Sequence, residues 1–161
     1  FSAYRMAEYT YEALSQYALQ AMEDVRQHKV TKAVEDVTFI NMAVTGVLSN
    51  TTRSFKQSAL AHAVDYAIRT YFPQESKDAL HGEAVAVGLF LQLYYNQQAE
   101  QIPPLKDLMR KMEMPLSLDA LGVPSTDENL QILEDYLIET SRVGEDAASR
   151  ARLHEALRQL R

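Results

Sequence analysis

From Ala84 to Leu93 the chain places one strongly polar residue, Gln92, among apolar ones. A stretch that is apolar on every side suits a helix surrounded by other helices rather than one lying on a surface. The pattern predicts a buried central helix from about Gly82 to Asn96. That is shorter than the roughly 20 apolar residues needed to span a bilayer. Gly88 falls mid-helix, where it costs about 1 kcal/mol relative to alanine. Such a cost is tolerable where another backbone packs closely. His81 and Glu83 stand at the mouth of this helix, where free N–H groups favour ligands and anions.

The remaining segments carry helical periodicity. From Ser2 to Gln27, apolar residues recur at Ala7, Tyr11, Leu14, Ala18, Ala21 and Val25, one stripe of a long amphipathic helix. Phe1 opens inside this periodicity, so the beginning reads as cut. Tyr4, Tyr9, Tyr11 and Tyr17 read as half-buried rings of core and rim, or else as a surface meeting a partner. Thr31 can cap a second helix with stripe Val34, Val37, Ile40 or Asn41, Val44, Val47 and Leu48. Gly46 within it suggests close packing, and Ser49 to Thr52 reads as a loop.

A third helix is expected from about Ser54 to Phe72, with Phe55, Ala59, Leu60, Ala63, Ala67, Ile68 and Tyr71 inward, stopped by Pro73. Pro103-Pro104 open another that ends at Pro115. Ser117 to Leu121 forms a short helix stopped by Gly122. Ser125 and Glu128 have capping-box spacing ahead of Leu130, Leu133, Tyr136 and Leu137. A last helix from about Asp146 to Leu160 buries Leu153, Leu157 and Leu160. The expectation is an all-α fold, a multi-helix bundle around the central helix, in a single domain over 1–161.

Composition sharpens the picture in three places. A net charge of −6 with no basic cluster argues against a nucleic-acid surface. The absence of cysteine removes disulfides and thiolate metal sites. No signal peptide or membrane span is visible, which makes the cytoplasm the default location.

The chemistry rests on histidines. His62 lies among alanines in the third helix and shares a face with Asp65 and Tyr66. Two imidazoles from separate helices, His62 and His81, can hold a divalent cation. Read from the residues alone, satisfied core histidines are the competing explanation. Glu83 is a possible partner for such a site, though an acid in the first turn already suits the helix dipole. His28 and His154 read as surface residues.

The strings Ala59-Leu60-Ala61-His62-Ala63-Val64 and His81-Gly82-Glu83-Ala84-Val85-Ala86-Val87-Gly88 resemble the two histidine motifs of the superfamily of iron-containing alcohol dehydrogenases, glycerol dehydrogenases and dehydroquinate synthases. Glu23 to Thr31, running into Val34-Glu35-Asp36-Val37, also follows the glycerol dehydrogenase pattern. The resemblance implies the helical C-terminal domain of a two-domain enzyme. It implies that the N-terminal nucleotide-binding domain, which binds NAD(P), is absent from this chain, and that an Asp or Glu metal ligand lies upstream of the residues present. His62 and His81 map onto the two metal-binding histidines, for iron, zinc or nickel. The metal would polarise an alcohol or carbonyl oxygen beside hydride transfer. No catalytic or nicotinamide-binding residue is assigned within this chain.

Two departures stand out. Many dehydrogenases of this family carry a second histidine shortly after the first, followed by Asn-Gly, where this chain has Asp65, Tyr66 and Ala67. The synthase branch has His-x-x-x-His, and its second place here is Tyr66. The resemblance implies the helical part of a metal-dependent, nicotinamide-linked alcohol or polyol dehydrogenase, inactive as a fragment because the cofactor fold and the third ligand lie outside it. The alternatives are a non-catalytic self-association module and a dehydroquinate synthase-like lyase domain. The expected partners are its own N-terminal domain and further copies of itself in a homo-oligomer, with neither nucleic acid nor membrane.

Overall fold

A computed structural model describes residues 2–52, 59–140 and 143–161. Backbone contacts gather into two compact units, Phe1–Gln57 and Ser58–Arg161, within the span that the patterning reads as one domain. Among the described residues there is no strand, and the all-α expectation holds.

In the first unit α1 (Ser2–Arg26) packs against α2 (Lys32–Phe39) and α3 (Thr45–Thr52). A π-helical turn, Ile40–Val44, joins α2 to α3 in one continuous run. The expected loop at Ser49 to Thr52 is instead helix. Asn50 Nδ2 donates to the Gly46 carbonyl at 2.9 Å and Thr51 Oγ1 to that of Val47 at 2.8 Å. Bonding back to the preceding turn lets these polar side chains remain helical. Among the described residues no atom outside its own helix backbone lies within 4 Å of a Cβ added at Gly46, so the close packing expected there does not come from them.

The buried residues of α1 are Thr10, Ala13, Ala21 and Asp24. Of the expected stripe Ala21 is buried and Ala7, Leu14 and Ala18 are half-buried, whereas Tyr11 and Val25 are 69% and 57% exposed. Thr10 and Asp24 lie outside that stripe, since polar residues with partners can be buried. Thr10 Oγ1 donates to the Met6 carbonyl at 2.8 Å. Asp24 accepts from Gln20 Nε2 at 2.9 Å and from Thr31 Oγ1 at 2.6 Å. Thr31 does occupy the cap position of α2, but its hydroxyl ties back to Asp24 rather than to the helix start. Tyr4, Tyr9, Tyr11 and Tyr17 are all exposed, which corrects their reading as half-buried core. Val30, Val34, Thr38, Phe39 and Met42 line an open apolar groove.

In the second unit α4 (Leu60–Tyr71) lies along α5 (His81–Tyr95). The other helices are α6 (Ile102–Lys111), α7 (Asp127–Glu139) and α8 (Ala147–Leu157), the last continued by a 3₁₀ turn at Arg158–Leu160. The central position foreseen for α5 is correct: it touches α4, α6, α8 and the closing turn. Its Ala84, Val87, Phe90 and Leu91 are buried with Val64, Ile68, Leu133, Leu137, Leu153 and Leu157. The expected start of the third helix near Ser54, Phe55 included, lies outside the described residues.

The helix ends follow local chemistry. Pro103 sits in the first turn of α6. That helix stops before Pro115, because Glu113 adopts a φ of 58° and turns the chain earlier. Thr126, not Ser125, caps α7 by accepting from the Asn129 amide at 3.2 Å. Ser125 is engaged with Asp119, whose carboxyl is held below its ordinary value by those bonds. Asp146 caps α8 through the Ser149 amide at 2.9 Å.

Two glycines are required by space. A Cβ on Gly88 would fall 2.6 Å from the Ala61 carbonyl oxygen and 2.9 Å from the Ala61 Cα. Gly122 has a φ of 89°, and its Cβ would meet the Glu75 carbonyl oxygen at 2.3 Å. Both obstacles are backbone and cannot rotate away. Gly88→Ala and Gly122→Ala should each destabilise the second unit by about 1–3 kcal/mol, as overpacking does. Gly46→Ala should stabilise by about 0.5–1 kcal/mol through helix propensity alone. Urea unfolding midpoints distinguish them, and a common sign for all three would contradict this account.

Candidate metal centre

The site begins where α4 and α5 meet. Gly88 lets the two backbones approach at Ala61, next to His62. The Ala61 amide, one of the orphan donors of a helix start, donates to Gln92 Oε1 at 3.2 Å. Gln92 thereby gains a purpose inside an apolar helix. The His62 amide bonds to the Ala59 carbonyl at 3.1 Å, and its side chain is exposed.

His81 is the first residue of α5. Glu83 Oε2 accepts from the Leu80 amide at 2.8 Å, the structural role that an acid in the first turn can fill. The connection before it is pinned by Arg69, which donates to the carbonyls of Ser76 at 2.9 Å and Ala79 at 2.8 Å. Arg69 Nε also reaches Asp65 Oδ1 at 3.3 Å.

These supports bring the imidazoles of His62 and His81 to a centroid separation of 5.7 Å, with ring planes tilted by 56°. His81 Nδ1 lies 2.9 Å from Asp65 Oδ2. The Asp65 side chain is 3% exposed and that of His81 is 62% exposed. Tyr66 lies beside His62 at 6.5 Å between centroids. Neither histidine is a core residue, so the competing core reading is corrected by their exposure. His154 is tied elsewhere, with Nδ1 3.0 Å from Glu134 Oε2.

The donor chemistry fits an imidazole share of a metal site. Nitrogen ligands stand about 2.0–2.1 Å from zinc, so two rings on one ion must be near neighbours, as these are. A carboxylate can only accept, so a neutral His81 bound to ionised Asp65 carries its proton on Nδ1 and leaves the Nε2 lone pair free. Among the described residues no hydrogen bond reaches the His62 ring. Among them also, no three His, Asp or Glu side chains form a metal-holding group. A cation held here would need further donors from outside the pair. Arg69 and Gln92 were missed from sequence. The signal for Gln92 was its solitary polarity in an apolar run, and Arg69 gave none.

No protein-family model matches the chain. It is 26% identical over 133 residues to a glycerol dehydrogenase of Thermotoga maritima, covering 80% of this chain and 34% of that protein. It is 25% identical over 130 residues to a glycolaldehyde reductase of Halobacterium salinarum, covering 79% and 33%. Against the crystal structure of glycerol dehydrogenase from Schizosaccharomyces pombe, the TM-score is 0.80 at 23% identity, over 99% of this chain and 41% of that one. The chain resembles the glycerol dehydrogenases. It spans about a third of the length of those curated relatives, consistent with the C-terminal portion of a glycerol dehydrogenase-like protein.

Within this glycerol dehydrogenase-like helix pair, Gln92→Leu should destabilise by about 1–3 kcal/mol despite adding apolar surface. It leaves the buried Ala61 amide without an acceptor. Unfolding measurements showing a gain in stability would refute that role.

Proposed function

We propose that this chain is the helical C-terminal part of a cytoplasmic, metal-dependent, nicotinamide-linked alcohol or polyol dehydrogenase. His62 and His81 hold the metal from this side. The observation that supports the reading is the 5.7 Å approach of two exposed imidazoles at the starts of adjoining helices. Likeness to glycerol dehydrogenases and to a glycolaldehyde reductase favours small polyols and hydroxyaldehydes as substrates.

A divalent ion such as iron or zinc supplies Lewis-acid polarisation of a substrate oxygen. The two imidazoles contribute neutral nitrogen donors, and Asp65 orients one of them. Tyr66 is exposed beside His62. The nicotinamide is bound mainly by an N-terminal domain outside this chain, so the helical part alone is inactive.

The test uses the full-length gene product. Purified protein should contain iron or zinc and should oxidise glycerol or reduce glycolaldehyde with NAD or NADP. His62→Ala and His81→Ala should each lose most of the metal and the activity together. Full activity in metal-stripped protein, or unchanged metal content in both variants, would overturn the reading.

A second reading, a non-catalytic module that associates with further copies of itself, is favoured by one observation. The groove of the first unit holds Phe39, 64% exposed, and Met42, 78% exposed. Exposed apolar patches of this kind mark association surfaces. Light scattering should then show a dimer or larger oligomer that Phe39→Glu disperses. A strict monomer at high concentration removes this reading.

A further inference from the structure

We propose that Asp65 is a positioning residue for the metal centre: it fixes His81 as the Nδ1–H tautomer and so presents Nε2 as the metal donor. The inference deepens the dehydrogenase reading and rests on it.

Asp65 is a carboxylate at 3% side-chain exposure in the middle of α4. Such a group is retained only if its charge and lone pairs are met. Both oxygens are engaged, Oδ1 by Arg69 at 3.3 Å and Oδ2 by His81 Nδ1 at 2.9 Å. Arg69 also anchors the carbonyls of Ser76 and Ala79. It therefore ties the carboxylate to the segment that delivers His81. The ring is held from two directions, through its own nitrogen and through the backbone leading to it.

The proton bookkeeping then has one solution for a neutral ring. Arg69 only donates, so it occupies Oδ1 and leaves Oδ2 as the acceptor facing His81. His81 must donate from Nδ1, which leaves the lone pair on Nε2. Carboxylate–histidine–metal arrangements work in this way: the outer carboxylate sets the tautomer, orients the ring and raises its basicity toward the metal. Asp65 stands i+3 from His62, so one helix supplies both a donor ring and the orienting group of the other ring.

The test is carried out on the full-length protein with two readouts. Nitrogen chemical shifts of isotopically labelled histidine report the tautomer of His81 without any metal. Zinc titration reports affinity. Wild-type protein should show His81 with Nδ1 protonated. Asp65→Asn preserves shape, but its amide N–H can donate to Nδ1 and displace the proton to Nε2. It should lose the Nδ1–H signature and bind zinc about 10–100-fold more weakly, with helicity by circular dichroism unchanged. Asp65→Ala should lose the same signature, and Arg69→Gln serves as a control for the support of the 72–80 segment.

If wild-type protein binds zinc through His62 and His81 but Asp65→Asn binds equally well, the inference fails and the dehydrogenase reading stands. A wild-type His81 protonated on Nε2 overturns the inference directly. If wild-type protein binds no zinc that His62→Ala or His81→Ala abolishes, the reading fails and the inference falls with it.

Discussion

The second unit depends on one close approach, between the bare backbone of Gly88 on α5 and that of Ala61 on α4. One turn further along α5, Gln92 accepts from the same Ala61. Residues four apart share a helix face, so α5 offers a gap and an acceptor to a single residue of its neighbour. Seven residues before Gly88, on that same face, His81 meets Asp65, which lies one turn after Ala61 on α4. The contacts thus run antiparallel, with the start of α4 against the middle of α5 and the middle of α4 against the start of α5. Sliding one helix by a turn would break the Gln92 bond, open or clash the glycine contact and separate His81 from Asp65. The spacing of the two imidazoles is a consequence of this register.

How much of this could be read from the residues depended on how far each interaction reaches. The apolar run from Ala84 to Leu93 announced a central helix, because burial on all sides leaves no polar face to write. Gly88 and Gly46 carried the same signal, a glycine inside a helix, yet only Gly88 meets another backbone. One sequence cannot distinguish them, since the obstacle belongs to a different helix. The α1 stripe is met at Ala21 and partly at Ala7, Leu14 and Ala18, but it omits two buried positions. Its buried line includes Thr10 and Asp24, made tolerable by partners at Met6, Gln20 and Thr31, whereas apolar periodicity assumes that burial and hydrophobicity coincide. Ser125 and Thr126 compete as caps, and Asp119 decides between them by engaging Ser125. At the site, the motif strings brought forward His62 and His81, and helical spacing brought forward Asp65. Arg69 stayed hidden, because its significance lies in carbonyls of the following connection rather than in its own helix.

The network around Asp65 also bears on why such an arrangement persists. A buried ion pair is weak evidence for stability: exchanging one for well-packed apolar residues is often neutral or favourable by about 1–4 kcal/mol. An apolar residue at position 65 would suit the surroundings, since Val64, Ala67 and Ile68 are buried on the same helix. Folding alone therefore gives little reason for a carboxylate there. The geometry supplies one. The buried charge faces a ring that is 62% exposed, so the desolvation cost falls on Asp65 while the benefit, a ring with a fixed proton and a fixed orientation, is delivered at the surface. Arg69 limits that cost and, through the carbonyls of Ser76 and Ala79, stiffens the segment that carries the ring. Fixing a ligand before it is used removes an entropy term from binding. On the proposed reading, a stability cost borne inside the bundle would become a better-defined donor at its edge, which is the relation between fold and site expected where chemistry, not packing, sets the choice of residue.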